Sequence, residues 1–310
     1  MRGDGDHGSG AGLGHGAYVS VSIMADDIRF LLRSALFVPG DKPRAIAKAP
    51  GLGADALILD LEDAVAPEAK DEARKAAPEA IATFRKSRVR AALRVAEPTS
   101  SDLDADVETV IQAKPDIVVI AKTEAPDQLI DIRQRLDKKG WSGPLWAMIE
   151  TPRAVMALPE LTAIASEVKL EALVAGTNDL AEQLRLPTGP QQRDALTPHL
   201  AQIVLAARAA GLRVLDGVYN AFKDTAGFIA EARAGHAMGF DGKTLIHPAQ
   251  VEPANASFAP SEREIVWAEA VIEAFSNPAN LGKGAIPVNG QMVEAMHLTT
   301  ARAVLAAARN

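Results

Sequence analysis

Eight short apolar segments, many of them β-branched, alternate with helix-like stretches along most of this chain. Read as strands, they span 34–40, 56–64, 90–97, 116–124, 144–151, 171–179, 212–219 and 243–247. The intervening stretches, such as 67–86 and 198–210, are rich in Ala, Glu, Arg and Leu. Strand–helix alternation repeated eight times is typical of a (β/α)8 TIM barrel. An open, doubly wound sheet is the alternative, but no G-x-G-x-x-G follows the first strand.

Composition narrows the class of protein further. The 310 residues fit one barrel domain with a tail, and 48% hydrophobic residues supply a large core. A net charge of −7 argues against a nucleic-acid partner. The absence of cysteine excludes disulfides and thiolate metal sites. No apolar run approaches the roughly 20 residues that cross a bilayer. We therefore expect a cytoplasmic protein with no membrane partner.

The ends of the chain differ from its centre. Residues 1–24 are rich in Gly with interspersed Asp and His, and they lack the basic start and long apolar centre of a secretory signal. With almost nothing to bury, they are predicted to be a disordered extension. The barrel domain, predicted to be catalytic, is then expected over residues 25–255.

Residues 256–310 form a tail beyond the predicted end of the barrel. A capping box, Ser261 to Glu264, predicts a helix over 261–275. A loop rich in Gly, Pro and Asn is predicted over 277–290 and a last helix over 291–308. A tail of this length is typical of a lid or an oligomer contact, and we expect a helical lid that serves as both.

Charged residues follow the predicted strands at the end where barrels bind ligands. Asp60, Glu62 and Asp63 follow the second strand, and Glu150 and Asp179 lie about one βα unit apart on neighbouring strands. Two carboxylates, completed by water and substrate oxygens, are how Mg²⁺ is usually held. The alternative is structural: the acids of the second strand cap a helix or are solvated, and Glu150 caps the helix that opens at 151–152.

The candidates at this end of the barrel also include two cations, a histidine and an aromatic segment. Arg94, at the end of the third strand, has a planar fork suited to a substrate carboxylate. Lys122 is predicted mainly to form ion pairs, with Glu124 or with the acids of the second strand. His247 is well placed at a strand end, although a lone histidine there is more often packed or hydrogen-bonded. Residues 220–222 are equally suited to a pocket wall and to the core.

Seven motifs, in the same order along the chain, resemble those of the citrate lyase β-subunit-like family. They are RSALFVPG (33–40), DLEDAV (60–65), AKTE (121–124), IET (149–151), GTND (176–179), GFDGK (239–243) and IHPAQ (246–250). This family belongs to the HpcH/HpaI aldolase/citrate lyase superfamily and includes malyl-CoA and citramalyl-CoA lyases. The resemblance extends from about residue 33 to residue 308.

The resemblance implies an activity and its cofactor. The implied reaction is Mg²⁺-dependent retro-Claisen cleavage of a 3-hydroxyacyl-CoA ester, of malyl, citramalyl or citryl type, to acetyl-CoA and a 2-oxo acid, or the reverse. The implied partners are therefore a small CoA ester and a 2-oxo acid.

The resemblance also assigns roles by position. Glu150 and Asp179 correspond to metal ligands, and Arg94 corresponds to the arginine that binds the substrate carboxylate. The remaining assignments are a catalytic acidic cluster near the metal (Asp60, Glu62 and Asp63) and substrate contacts (Lys122, Gly176, Thr177 and Asn178).

Glu294 is the candidate that departs from the family pattern. Residues 288–294 resemble a lid segment that reaches a neighbouring subunit's site, where the lyases commonly have an aspartate as acid/base. We hypothesise that Glu294 takes this role in a homo-oligomer, a trimer or a hexamer. The structural alternative is an acid in the first turn of a helix, favoured there by the helix dipole.

Other functions remain open at this point. The same site could serve a malyl-CoA-type thioesterase. The chain could also be the catalytic β subunit of a multi-chain citrate lyase, which takes its thioester from an acyl-carrier protein. A pyruvate-aldehyde aldolase and a non-catalytic scaffold are the remaining alternatives, and the complete set of Arg94, Glu150 and Asp179 argues against the scaffold.

Overall fold

The computed structural model describes residues 31–87, 89–189 and 191–308. Eight parallel strands pair in chain order, and the eighth pairs with the first to close a barrel. The strands are β1 (Ser34–Pro39), β2 (Ala56–Asp60), β3 (Arg90–Val95), β4 (Ile117–Ile120), β5 (Leu145–Ile149), β6 (Leu170–Ala175), β7 (Arg213–Asp216) and β8 (Gly242–Leu245). The predicted (β/α)8 barrel is confirmed.

Helices follow the strands around the barrel. They are α1 (Pro43–Lys48), α2 (Lys70–Phe84), α3 (Leu103–Ala113), α4 (Pro126–Lys138), α5 (Pro152–Met156), α6 (Leu158–Ala163), α7 (Ala165–Val168), α8 (Thr177–Gln183), α9 (Gln192–Ala209), α10 (Thr225–Met238) and α11 (Val251–Ser257). The helix predicted from residue 198 begins earlier, at Gln192, with Pro198 inside it. Among the described residues, no helix has the length and hydropathy needed to span a bilayer.

Each barrel strand contributes to two apolar cores because its side chains alternate between its two faces. In β2, Leu57 and Leu59 pack in the layer between the barrel and the helices. Ala56 and Ile58 instead point into the barrel interior, where Trp146 of β5 also lies. The period of two places the next interior position of β2 at Asp60. Polar side chains therefore take over from apolar ones at the carboxyl mouth of the barrel.

The strands end a few residues earlier than predicted, and the charged residues lie beyond them. Asp60 ends β2 because its carboxylate accepts the backbone N–H groups of Glu62 and Ala64, which turns the chain out of the sheet. β6 ends at Ala175, and α8 begins at Thr177. Asp179 therefore lies in the first turn of a helix and not in the strand predicted over 171–179.

The tail begins as predicted and then departs from the prediction. The capping box is present, since Ser261 Oγ accepts the N–H of Glu264 at the start of α12 (Glu262–Ser276). β9 (Ala285–Val288) and β10 (Gln291–Glu294) form an antiparallel hairpin where a loop and the start of a helix were predicted. The last helix, α13, is Ala295–Ala308. The predictions of a loop over 277–290 and a helix from residue 291 were therefore wrong.

The sequence contains the physical reason for the hairpin. Asn289 and Gly290 both have positive φ, 49° and 80°, as a two-residue Asn-Gly hairpin turn requires. Ile286, Val288 and Val293 alternate along the two strands and pack in a small core of the tail with residues of α12 and α13. The predicted extension at 1–24 lies outside the described residues.

Candidate active site

Charged side chains from five consecutive barrel units meet at the carboxyl mouth of the barrel. We call the carboxylates of this set the acidic cluster. The acidic cluster comprises Asp60, Glu62, Asp63, Glu150 and Asp179, and the cations are Arg94 and Lys122. The expected convergence of these residues is observed.

Arg94 is fixed by Asp60 at the floor of the cleft. Asp60 accepts from Arg94 Nε at 2.7 Å and from Nη2 at 2.5 Å, and its own side chain is fully buried. The guanidinium also lies over the ring of Phe37, 4.7 Å from its centroid. Because Asp60 accepts two backbone N–H groups as well, its oxygens are fully engaged. The geometry gives Asp60 the role of positioning Arg94.

The second edge of the guanidinium faces the remaining acids. Arg94 Nη1 lies 3.0 Å from Glu62 Oε2 and 3.9 Å from Asp63 Oδ2. Burial acts to lower the pKa of Arg94, but Asp60 and Glu62 outweigh it and hold that pKa above its ordinary value. Arg94 therefore keeps its positive charge although only 7% of its surface is exposed.

Lys122 connects four carboxylates. Its backbone N–H donates to Glu150 Oε1 at 2.6 Å. Its Nζ lies 2.5 Å from Glu62 Oε1, 3.5 Å from Asp63 Oδ1 and 3.6 Å from Asp179 Oδ2. The residue adopts a left-handed conformation, with φ of 46°, which is uncommon for a side chain of this kind. Lys122 therefore pairs with Asp179 and with the acids of the β2 loop, the segment after β2 that contains Glu62 and Asp63. It does not pair with the alternative, Glu124, which lies 3.5 Å from Arg153 Nε.

The two acids of the β2 loop have opposite pKa shifts. Burial raises the pKa of the Glu62 carboxyl, despite the opposing effects of Arg94 and Lys122. Burial acts in the same direction on Asp63, but there the hydrogen bond with Glu62 and the charges of Arg94 and Lys122 prevail and lower its pKa. A lowered pKa keeps Asp63 ionised, and its side chain is 55% exposed at the cleft.

Glu150 is deeply buried and, among the described residues, has no ion pair with an arginine or a lysine. Only 2% of its surface is exposed, and burial raises its pKa to about 8, with repulsion from Asp179 and Glu62 adding to the effect. The alternative that Glu150 caps the following helix is wrong. Thr151 is the cap of α5, because its Oγ1 accepts the N–H of Ala154 at 3.0 Å.

The GTND motif shapes the space beside Glu150. A side chain at Gly176 would place a Cβ 2.5 Å from Glu150 Oε2, so only glycine fits there. Thr177 is buried, and a Cβ on Gly217 would lie 2.4 Å from its Oγ1. Asn178 is exposed and exchanges two side-chain hydrogen bonds with Asn220, at 2.7 and 3.4 Å. Gly176 and Thr177 therefore set the packing of the β6–α8 turn, while Asn178 lies at the rim.

The donor set fits a hard divalent cation. Five carboxylates (Asp60, Glu62, Asp63, Glu150 and Asp179) surround two cations (Arg94 and Lys122), which leaves an excess of negative charge. Among the described residues, no three His, Asp or Glu side chains are already arranged to hold a metal. Two carboxylates with water and substrate oxygens suffice for Mg²⁺. Glu150 and Asp179 are the pair whose mutual repulsion such an ion would relieve.

Glu294 lies outside this cleft in its own chain. It ends β10, is exposed, and its backbone N–H donates to His297 Nδ1 at 2.9 Å. Within the described ranges, no hydrogen bond or ion pair joins it to the acidic cluster. The alternative of an acid in the first turn of a helix is wrong, because the first turn of α13 contains no acidic residue.

Two cavities lie at opposite ends of the barrel. One of about 490 Å³ opens beside the acidic cluster and is lined by Lys122, Asp179, Glu182, Gln183 and Arg185. A larger one of about 810 Å³ lies at the amino ends of the strands, against α13. The smaller cavity is the one relevant to the site, because Lys122 and Asp179 line it.

The sequence reasoning missed Phe37, which lines the cleft beneath Arg94. The sequence indicates this interior position, because Phe37 lies two residues after Ala35, whose side chain points into the barrel. The reasoning also missed Met148, whose Sδ lies 3.7 Å from Arg94 Nη1. The same period of two, from Trp146 through Met148 to Glu150, predicts an interior position for all three.

Fold and site together define a (β/α)8 barrel whose mouth combines clustered carboxylates with a buried arginine. The chain belongs to the HpcH/HpaI aldolase/citrate lyase family, whose model matches residues 33–248. This confirms the resemblance found in the sequence.

Three relatives show how close the similarity is. A (3S)-malyl-CoA thioesterase of Cereibacter sphaeroides is 44% identical over 276 residues, covering 89% of this chain and 94% of the relative. Citrate lyase subunit beta of Escherichia coli is 34% identical over 283 residues, covering 89% and 93%. The structure of CitE from Mycobacterium tuberculosis in complex with magnesium, acetoacetate and coenzyme A matches with a TM-score of 0.73 at 30% identity, covering 89% of this chain and 98% of CitE.

Proposed function

We propose that this protein is a magnesium-dependent enzyme that acts on a malyl-type 3-hydroxyacyl-CoA ester, with hydrolysis of the thioester as the first candidate reaction. The main supporting observation is that a buried, charged arginine and two carboxylates suited to Mg²⁺ share one cleft. Such an arrangement suits a substrate with a hydroxyl and a carboxylate at one end. The 44% identity to malyl-CoA thioesterases, against 34% to a citrate lyase subunit, favours hydrolysis.

Glu150 and Asp179 are the residues that would hold the ion. When bound, Mg²⁺ supplies Lewis-acid polarisation of substrate oxygens. Gly176 keeps the space beside Glu150 Oε2 free of a side chain, and the Lys122 N–H orients the opposite oxygen. These contacts leave Glu150 Oε2 as the oxygen directed to a ligand.

Arg94 would bind the substrate carboxylate through its Nη1 edge, where the substrate would replace the contact with Glu62 Oε2. Asp60 occupies the other edge, so the guanidinium cannot rotate away. Phe37 closes the floor beneath it. A planar, fixed arginine orients a carboxylate more strictly than a lysine would. Asp60 thereby contributes by positioning Arg94.

In hydrolysis, water adds to the thioester carbonyl carbon, a base accepts the water proton, and the C–S bond breaks to release CoA thiol and the free acid. We assign Asp63 as the base, because its side chain is 55% exposed at the cleft and is the most accessible of the acidic cluster. Lys122, beside it, stabilises that negative charge. Glu62, which is buried and also paired with Lys122, holds both residues in place.

Retro-Claisen cleavage is the second candidate. There, a base removes the hydroxyl proton, the carbon–carbon bond breaks, and the resulting acetyl-CoA enolate must take up a proton. The proposed acid is Glu294 of a neighbouring subunit, since in its own chain Glu294 is exposed and outside the cleft. This candidate therefore requires a homo-oligomer, whereas hydrolysis does not require Glu294.

One assay separates the candidates. The protein is incubated with (3S)-malyl-CoA and related 3-hydroxyacyl-CoA esters, with Mg²⁺ or with a chelator, and free thiol and 2-oxo acid are measured separately. Hydrolysis yields thiol without 2-oxo acid, and cleavage yields 2-oxo acid without free thiol. Glu150→Gln serves as the inactive control. If neither product forms with any ester, the proposed function is refuted.

A further inference from the structure

Arg185 lines the cavity that opens beside the acidic cluster. It lies just beyond α8, is exposed, and shares this cavity of about 490 Å³ with Lys122 and Asp179. Its guanidinium forms no hydrogen bond or ion pair with any residue that the structure describes. A planar cation in this position is available to an anionic group of a ligand.

The backbone of Arg185 has a conformation that favours glycine, with φ of 56°. Its N–H donates to the carbonyl of Glu182 at 2.8 Å. The N–H of Leu186 donates to the carbonyl of Ala181 at 2.9 Å. These two bonds form the Schellman ending of a helix, where glycine is the usual residue. A side chain there costs stability, and such costs are concentrated at functional sites.

The same turn separates Arg185 from the acid three residues before it. Oppositely charged side chains at i and i+3 of a helix commonly pair, as Lys75 and Glu72 do at 2.6 Å. Arg185 and Glu182 have this spacing and both line the cavity, but no ion pair joins these two described residues. Because Arg185 lies outside the helix, its charge is left for a ligand.

A structural role is the alternative, because a cation at the end of a helix interacts favourably with the helix dipole. Lys114 shows this use of the same conformation. It ends α3 with φ of 51°, is exposed, and lies shortly before β4, at the amino end of that strand. Arg185 differs from Lys114 in location, since it lies at the carboxyl mouth in a cavity that contains Asp179.

The other two cations of the site are already engaged. Arg94 is held by Asp60 at one edge, and its second edge is assigned to the first substrate carboxylate. Lys122 Nζ lies 2.5, 3.5 and 3.6 Å from three carboxylates of the acidic cluster. Asp179 belongs both to the cavity and to the proposed metal ligands, so a ligand bound there enters the space that Arg185 lines.

We propose that Arg185 binds the second carboxylate of a 2-hydroxy acid, namely the carboxylate that hydrolysis frees from the thioester. This inference rests on the proposed function. When water adds to malyl-CoA and CoA thiol leaves, the former thioester carbon becomes a carboxylate, so the product acid has two carboxylates and the ester had one. Carbon–carbon cleavage of the same ester leaves the thioester intact and creates no new carboxylate. Arg185 therefore recognises the product of hydrolysis.

The test measures binding of (S)-malate and (S)-2-hydroxybutyrate to the full chain by calorimetry in excess Mg²⁺. The two acids differ only in that a methyl group replaces the second carboxylate. We expect Arg185→Gly to raise the Kd for malate roughly 5- to 50-fold, as for a charge-assisted hydrogen bond at a partly solvated site. The Kd for 2-hydroxybutyrate should not change. Tm should stay the same or rise, because glycine suits the left-handed backbone.

Lys114→Gly is the matched control. It replaces a cation by glycine at another left-handed helix end, so it should leave both Kd values unchanged. Unchanged malate affinity in Arg185→Gly, an equal loss for 2-hydroxybutyrate, or no malate binding by the unaltered protein would each overturn the assignment. A loss of CoA affinity with malate affinity unchanged would also overturn it, because Arg185 would then bind a phosphate.

The same measurements separate this inference from the proposed function. If malate affinity depends on Arg185 but no ester is turned over, the proposed function is refuted and the carboxylate site stands. If malyl-CoA is hydrolysed but Arg185→Gly binds malate as tightly as the unaltered protein, the carboxylate site alone is refuted.

Discussion

Replacing Lys122 with methionine would test the charge balance of the acidic cluster. The Nζ atom lies 2.5, 3.5 and 3.6 Å from the carboxylates of Glu62, Asp63 and Asp179, and the side chain is 23% exposed. Methionine is also unbranched, so it leaves the left-handed backbone and its N–H bond to Glu150 nearly unchanged. The substitution therefore removes one positive charge and little else.

The expected loss of stability follows from these distances. At an effective dielectric constant of about 20, unit charges about 4 Å apart attract by about 4 kcal/mol. Desolvation offsets part of this, and removing one partner of a buried pair typically costs about 3–5 kcal/mol. Because Lys122 is partly exposed, we expect Lys122→Met to lower the free energy of unfolding by about 2–4 kcal/mol in the absence of Mg²⁺. For a chain of 310 residues, that lowers Tm by roughly 3–6 °C.

The loss should depend on pH. Lys122 helps to lower the pKa of Asp63 in the folded chain below its ordinary value of 3.8. That stabilisation is fully present above the pKa of Asp63 in the unfolded chain. It is lost as the pH falls through the pKa of Asp63 in the folded chain. The difference in Tm between Lys122→Met and the unaltered protein should therefore be large at pH 7 and shrink as the pH falls below about 4.

The assay is calorimetric unfolding with and without Mg²⁺, together with titration of Mg²⁺ into the folded protein. Without the competing ammonium, Lys122→Met should bind Mg²⁺ more tightly and recover more Tm on binding it. Lys75→Met is the control, because Lys75 pairs with Glu72 on an exposed face and its removal should leave Tm unchanged. If Lys122→Met behaves like this control in both Tm and Mg²⁺ affinity, the charge-balance argument is wrong.

Three further predictions address the metal, the tail and the barrel wall. Glu150→Gln and Asp179→Asn should each lower Mg²⁺ affinity steeply while the circular dichroism spectrum stays unchanged, and unaltered Mg²⁺ titrations would remove them as ligands. Glu294→Gln should lose on the order of 10²–10⁴ in carbon–carbon cleavage but nothing in hydrolysis, and mixing it with Glu150→Gln subunits should restore cleavage if the two residues share a site. Asp216, fully buried, accepts from Lys243 Nζ at 2.9 Å, so Asp216→Asn should cost about 3–5 kcal/mol in urea unfolding, and a loss below about 1 kcal/mol would contradict that role.

Much of the site was predictable because barrel geometry is periodic. Side chains two residues apart on a strand share a face, so Ile58 in the interior implies Asp60 at the mouth, and Trp146 implies Glu150. The carboxyl ends of parallel strands meet at one face of the barrel, which brings Arg94 to the same cleft. Asn289-Gly290 is also a local sequence signal, because Asn-Gly favours a two-residue hairpin turn. The hairpin could therefore have been predicted from the sequence in place of the loop.

The sequence by itself determined the barrel, the order of its strands and the residue types at its mouth, because these follow from local hydrophobic periodicity. Only the tertiary structure decided which charges pair. Lys122 reaches the acids of the β2 loop instead of Glu124, and Thr151 takes the helix cap that Glu150 could have occupied. These outcomes depend on distances between segments remote in sequence and on burial, which changes the free energy of a charge by several kcal/mol. No local pattern encodes either quantity.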